Sequence, residues 1–148
     1  MLDDTQQKKL AKLFDAQHVA VLVTDGDEWP TATLQAFGET EDLDLIFIMN
    51  ESAEKFQNLI KRPKATVLID TRDRGDIETF RVTRAVMQTI ATEVKRDSAE
   101  WNSLKTSFLK KKPFEAPFFN APTLRMIRLK GVRVSYAGDG HDTFKAEF

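Results

Sequence analysis

"HVAVLVTDGDEWPTATLQAF", residues 18–37, is the stretch that decides the fold. Its first part, "HVAVLVT" (18–24), is a β-branched run and reads as a buried strand. "DGDEWP" (25–30) is turn chemistry, because Asp-Gly readily adopts the backbone angles of a tight hairpin turn. "TATLQAF" (31–37) then reads as the return strand. A strand, a tight turn and a strand impose antiparallel pairing, and the same rhythm continues outward in both directions.

Downstream, "GETED" (38–42) is a second turn and "LDLIFIM" (43–49) a third strand. "NESAEKFQNL" (50–59) carries a short helix, with Ser52 as its expected cap and Phe56, Leu59 and Ile60 as its apolar face. Pro63 stops that helix, and "ATVLID" (65–70) is a fourth strand. A charged loop "TRDRGD" (71–76) leads to "ETFRVTRAVMQTIATEV" (78–94), read as one long bent strand. The spacing of Trp101, Leu104 and Phe108 predicts a helix over 96–111, with Asp97 and Glu100 as a capping box. "KPFEAPFFNAP" (112–122) reads as a proline-punctuated loop, and "TLRMIRL" and "VRVSYAG" as a closing hairpin about Lys130-Gly131. Upstream, residues 4–16 form an N-terminal helix with Leu10, Leu13 and Phe14 on one face; the polar tail 139–148 is expected to fray.

These elements predict one domain over residues 1–148, mainly β with a few helices, built as a small closed or half-open antiparallel barrel. No fixed-period repeat occurs, and no alternation of strand and helix points to a doubly wound nucleotide fold. Hydrophobic residues make up 41% and charged residues 30%, the balance of a soluble globular protein. A net charge of −1 gives no pull toward nucleic acid or an anionic membrane. The absence of cysteine removes thiolate chemistry and fits the cytoplasm. Apolar runs such as "VAVLV" and "LIFIM" are too short to span a bilayer.

The inventory of reactive side chains is thin. His18 and His141 have no partners at metal spacing and read as structural, so no metal site is expected. "TDGD" and "GDGHD" lack the alternating acids of a calcium loop. Neither a Gly-rich phosphate motif nor a nucleophile elbow occurs, and "LKKKP" (109–113) reads as the basic end of a helix. Any reaction here therefore calls for an organic cofactor. The corner at 50–59 offers a place for an anion: a helix N-terminus with a hydroxyl at Ser52 and a lysine, Lys55, in the first turn, where a cation is disfavoured by the helix dipole.

Taken in order, residues 17–70 resemble the first half of the FMN-binding split-barrel proteins, the pyridoxamine 5′-phosphate oxidase-like superfamily. The shared features are an opening strand, a turn leading to a proline, a return strand, an acidic hairpin, an apolar strand, a Ser/Lys corner, a helix ending near a proline, and a further strand. The long fifth strand, the helix, the Pro/Phe-rich loop and "LRMIRLKGVRVSYAG" extend the likeness to about nine-tenths of the chain. The resemblance implies FMN, with its phosphate at Ser52 and Lys55. It implies that the isoalloxazine ring lies along the backbone of Thr33, Leu34, Gln35 and Ala36, with Ile48, Met49 and Asn50 lining the same pocket. It further implies a homodimer with the cofactor at the interface, covered by a partner aromatic for which Trp101, Phe118 and Phe119 are candidates, and a small-molecule substrate or electron donor.

Departures from the family pattern are local. Glu54 stands where many relatives place a second basic residue, and the return strand lacks their arginine, leaving Arg62, Lys64 or Arg81 as substitutes. The end "GDGHDTFKAEF" has no arginine to grip pyridoxamine phosphate, which argues against that activity. The expected function is a small FMN-dependent oxidoreductase without a catalytic side chain; the alternatives are a flavin-binding or stress-related module, or a split barrel using deazaflavin or haem.

Overall fold

A computed structural model describes all residues, Met1–Phe148. Helix α1 (Asp4–Ala16) starts at a reciprocal cap: Gln6 N–H donates to Asp3 Oδ1 at 2.8 Å and Asp3 N–H to Gln6 Oε1 at 3.0 Å. Its Leu10, Leu13 and Phe14 are buried, as their spacing predicts. Strands β1 (Val19–Asp25) and β2 (Pro30–Ala36) form the expected hairpin, in register from Val19↔Ala36 to Asp25↔Pro30. The short β3 (Gly38–Glu39), β4 (Leu45–Asn50), helix α2 (Glu54–Lys61) and β5 (Lys64–Asp70) follow. Then come β6 (Arg84–Val94), helix α3 (Ala99–Lys111), a 3-10 helix (Pro113–Asn120), β7 (Leu124–Ala137) and β8 (Thr143–Glu147).

All pairings are antiparallel, in the order β2-β1-β5-β6-β7-β4-β3, with β8 on the second half of β7. The ends of this order meet through the chain itself. β2 pairs with β1, yet one residue later β3 pairs with β4, as Gly38↔Ile46 and Glu39↔Leu45. The sheet therefore curls on itself into a barrel. Past Ile46, β4 is laddered only to β7, so the facing edges of β2 and β4 part and leave a split.

Phe37, fully buried, sits at the parting point and meets Phe14 edge-to-face at 6.5 Å. It belongs to the main core inside the curl, with Leu22, Phe47, Val67, Met87 and Leu129. A second core under α3 joins Ile46, Ile48, Trp101, Phe108, Phe119 and Met126. Both faces of β4 are thereby covered, which explains why "LIFIM" reads as one apolar run. No helix is long and apolar enough to cross a membrane.

Several local expectations are corrected. α2 has no side-chain cap, because Ala53 rather than Ser52 stands at its N-cap; Ser52, one residue earlier, donates its hydroxyl to Asn50 Oδ1 at 2.8 Å. Ile60 is 52% exposed, and the buried face of α2 is Phe56, Asn58 and Leu59. β6 begins only at Arg84; before it, Phe80 takes a positive φ of 56° beside an Asp76↔Arg81 bridge, which breaks the extended run. Helix α3 is capped by Ser98 rather than by an Asp97–Glu100 box, since Asp97 itself adopts φ 60° and Trp101 N–H donates to Ser98 Oγ at 3.1 Å. The loop at 113–120 winds into 3-10 turns.

Two further corrections concern the end of the chain. No hairpin forms at Lys130-Gly131: β7 runs straight through, and a bulge puts Val132 out of register between Gln88↔Arg133 and Thr89↔Gly131. Gly131 is there for space, because a Cβ would lie 2.7 Å from the Phe148 ring. The tail does not fray from 143 onward. Its alternating Phe144, Ala146 and Phe148 pack against the main core, and Phe144 stacks on Tyr136 at 4.8 Å. Lys9 of α1 pairs with Asp142 just before it, at 2.5 Å.

Replacing a half-buried stacked ring removes both area and contacts, so Phe144→Ala is expected to lower the unfolding free energy by about 2 kcal/mol. Ile60→Ala, on the exposed side of α2, should stay within about 0.5 kcal/mol. Urea titrations of the two variants check the pair; equal small effects would mean that the terminal strand does not contribute.

Candidate functional site

The split between β2 and β4 is closed by side chains. On β2, successive residues face opposite ways, so Thr31, Thr33 and Gln35 point inward while Ala32 and Leu34 point outward, Leu34 being 69% exposed. Gln35 spans the gap: its Nε2 donates to the Ile48 carbonyl at 3.0 Å, and its Oε1 accepts from Lys55 Nζ. Lys55 reaches this point from the first turn of α2. Three residues on, and hence on the same helical face, Asn58 is buried and its Nδ2 donates to Thr24 Oγ1 at 3.0 Å and Thr31 Oγ1 at 3.4 Å.

A polar ladder on β2 therefore faces a polar stripe on α2, with Lys55 against Gln35 at one end and Asn58 against Thr31 at the other. The middle rung is unmatched: Thr33 Oγ1 is buried with no hydrogen-bond partner. A buried hydroxyl left unpaired costs about 1–3 kcal/mol. Lys55 adds a second imbalance. Burial alone pushes its pKa down, and no carboxylate offsets the effect; its one partner is a neutral amide.

The corner before α2 is tied down separately. Asn50 Oδ1 accepts from the Ser52 N–H at 2.9 Å as well as from its hydroxyl, and Asn50 Nδ2 donates to Thr123 Oγ1 at 3.0 Å. The Thr123 carbonyl accepts the Glu51 N–H at 2.9 Å, and the Glu51 carboxylate meets Arg125 at 2.5 Å. Thr123, Arg125 and Asn58 were absent from the sequence reading. Asn58 was legible as the helical neighbour of Lys55; the other two come from β7 and its approach, far away in the chain.

The predicted residues thus divide. Gln35, Ile48 and Lys55 meet at the split, with Thr33 beside them on the same face of β2. Asn50 and Ser52 form the exposed corner. Met49 points into the main core, while the Ile48 side chain joins the core under α3. Leu34 and Ala36 lie on the outer face, where Ala36 pairs with Val19. The substitute cations do not converge on Lys55. Arg62 is held by Asp25 and Asp27, Lys64 lines a groove with Gln88, Ile90 and Val132, and Arg81 sits in the 71–83 loop. Trp101 and Phe119 are buried and meet at 5.9 Å, leaving Phe118 as the exposed ring. His18 is exposed at the foot of β1, its pKa lowered by the Lys112 charge first and then by burial and Lys111.

The outer sheet face carries an apolar row in register: Leu34 opposite Val21, Val21 opposite Leu68, Leu68 opposite Val86. Leu34 and Val86 are 69% and 37% exposed.

A lysine whose pKa is lower folded than unfolded opposes folding while it is charged in both states, and that penalty fades as pH rises through the folded value toward 10.5. Lys55→Met is therefore expected to raise the urea midpoint at pH 7, with the gain shrinking in alkaline buffer as 10.5 is approached. A lower midpoint for the variant across the whole range would show that Lys55 serves the fold.

No protein-family model and no curated protein matches the sequence. Solved structures do match. A haem-binding protein from Mycobacterium smegmatis superposes with a TM-score of 0.86 at 15% identity, over 99% of this chain and 60% of that one. A candidate pyridoxamine 5′-phosphate oxidase from Listeria innocua gives 0.71 at 15% identity, over 90% of this chain and 98% of its own. An FAD-binding protein from Mesorhizobium loti gives 0.69 at 13% identity, over 87% and 90%. The strand order, the parted edges of β2 and β4 and these likenesses agree: this chain has the split-barrel fold of the pyridoxamine 5′-phosphate oxidase-like proteins.

Proposed function

We propose that the split between β2 and β4 binds FMN and that the chain is a small FMN-dependent oxidoreductase acting on a small molecule or electron donor. The observation that carries this reading is Lys55, a half-buried cation answered only by a neutral amide, beside an orphaned hydroxyl between two unpaired strand edges. Such a group wants an anion, and a phosphate meets that need through charge-assisted hydrogen bonds.

The residues fit the cofactor as follows. Lys55 holds the phosphate, with Ser52 and Asn50 at the corner beside it. The edge amides and carbonyls of Thr33, Leu34, Gln35 and Ala36, together with the Thr33 hydroxyl, meet the polar rim of the ring, while Ile48 and Met49 form the firm strand behind it. FMN, when bound, supplies the hydride or electron transfer; the chain supplies orientation and the exclusion of water. A dianionic phosphate facing a single lysine implies modest affinity. The solved flavin-binding relative of this fold supports the reading.

Haem is the second reading, favoured by the mycobacterial neighbour and by His18, which opens a depression of about 220 Å3 with Val19, Val21, Leu34, Leu68 and Arg72. The proposal includes a homodimer, built on the outer apolar row, and a cytoplasmic location consistent with a cysteine-free chain.

The absorbance spectrum of the purified protein tests the cofactor. Flavin bands support FMN, a Soret band supports haem, and a colourless protein that takes up no added FMN overturns the first reading. With FMN bound, Lys55→Ala should weaken it by about 1–3 kcal/mol in a fluorescence titration. An unchanged dissociation constant would remove the phosphate from Lys55. For the dimer, Leu68→Asp should shift sedimentation from two copies to one; unaltered sedimentation of a dimer would move the interface elsewhere.

A further inference from the structure

The inward row of β2 holds one uncommitted polar atom. Gln35 uses both ends of its amide, on the Ile48 carbonyl and on Lys55. Thr31 shares its hydroxyl with Thr24 at 2.7 Å and with Asn58 at 3.4 Å. Between these two residues, Thr33 Oγ1 is buried and has no partner. A hydroxyl carries one donor and two acceptor sites, and a buried one normally has at least one of them filled.

The fold does not call for that hydroxyl. Thr33 stands opposite Leu22 in the register, Leu22 opposite Val67 and Val67 opposite Met87, and all three of these residues are fully buried. An apolar row across three strands therefore ends on a polar atom at β2, the strand whose second edge is unpaired. Valine has the same branched shape and the same preference for strands, with no polar group to satisfy. The hydroxyl stands where the row runs out into the split.

On the flavin reading of the split, we infer that Thr33 is the residue that selects the ligand there. Its hydroxyl favours a flat heterocycle whose rim carries carbonyl and ring-nitrogen acceptors, and disfavours a macrocycle with a largely hydrocarbon rim, such as haem. The first kind of ligand gives the hydroxyl its hydrogen bond. The second covers it and leaves it unpaired, and a site built around a hydrogen bond rejects ligands that cannot make it. Ring and phosphate are then recognised by different side chains, the ring by Thr33 and the phosphate by Lys55.

Riboflavin, which has the ring without the phosphate, FMN and hemin are the probes, each titrated into the full chain. Thr33→Val is expected to weaken riboflavin and FMN by the same factor, about fivefold to fiftyfold, and to leave hemin binding no weaker. Thr33→Ser, which returns the hydroxyl, should recover the flavin affinity. Lys55→Met should weaken FMN and spare riboflavin. Without any ligand, Thr33→Val should raise the urea midpoint, because it removes an unpaired buried hydroxyl. A lowered midpoint would give the hydroxyl to the fold and overturn the inference. Flavin affinity unchanged in Thr33→Val, or an equal loss for flavin and hemin, overturns the role of Thr33 and leaves the flavin reading standing. A wild-type protein that binds neither flavin overturns that reading and the inference with it.

Discussion

One continuous piece of chain, Pro30 to Glu39, has to pair with β1 at its start and with β4 at its end. It cannot lie against both along its whole length. The parting at Phe37 follows, and with it two strand edges whose backbone groups face each other across a gap. Backbone groups at such an edge need either water or a partner. Gln35 gives Ile48 a side-chain donor where a ladder hydrogen bond is missing, and Lys55 in turn holds Gln35. The candidate site is thus a direct product of the way the barrel closes.

Helix α2 serves that closure from both sides. Its Phe56 and Leu59 anchor it in the main core, which fixes the face carrying Lys55 and Asn58 toward β2. Glu54, one step round the helix, is left exposed. The adjacency of an acid and a base in sequence creates no conflict in space.

Much of this was legible in the sequence. A β-branched run and an Asp-Gly turn identified the β1–β2 hairpin, an apolar run after Pro63 identified β5, and three-to-four spacing identified α1 and α3, because in those segments the local pattern and the final burial coincide. The reading failed where a long-range contact overrode the local signal. Gly131 looked like a turn because glycine is usually there for its φ; here its role is to admit the Phe148 ring, which no local window reveals. The tail "TFKAEF" does alternate, yet its polar content masked a strand that gains its partners from β7. Ser52 had the chemistry of a cap, but the helix starts one residue further on, with Ala53 at its N-cap. At the site, the lysine was conspicuous in sequence; its neutral partner Gln35, the buried Asn58 and the orphaned Thr33 became meaningful only once α2 was laid against β2.

The bulge in β7 has a consequence for how this chain tolerates length changes. Before it, odd-numbered residues Ile127 and Leu129 face the main core; after it, even-numbered Val134 and Tyr136 do. Val132 acts as a phase shift, resetting which side chains are inside. A strand of this kind has a reading frame. Losing or gaining one residue between Leu129 and Val134 would invert every later position, turning Tyr136 outward and, through the ladder, dislodging the partners that β8 stacks on it. Substitutions in this segment are local events, whereas a single-residue indel is a frameshift of the protein surface into its interior.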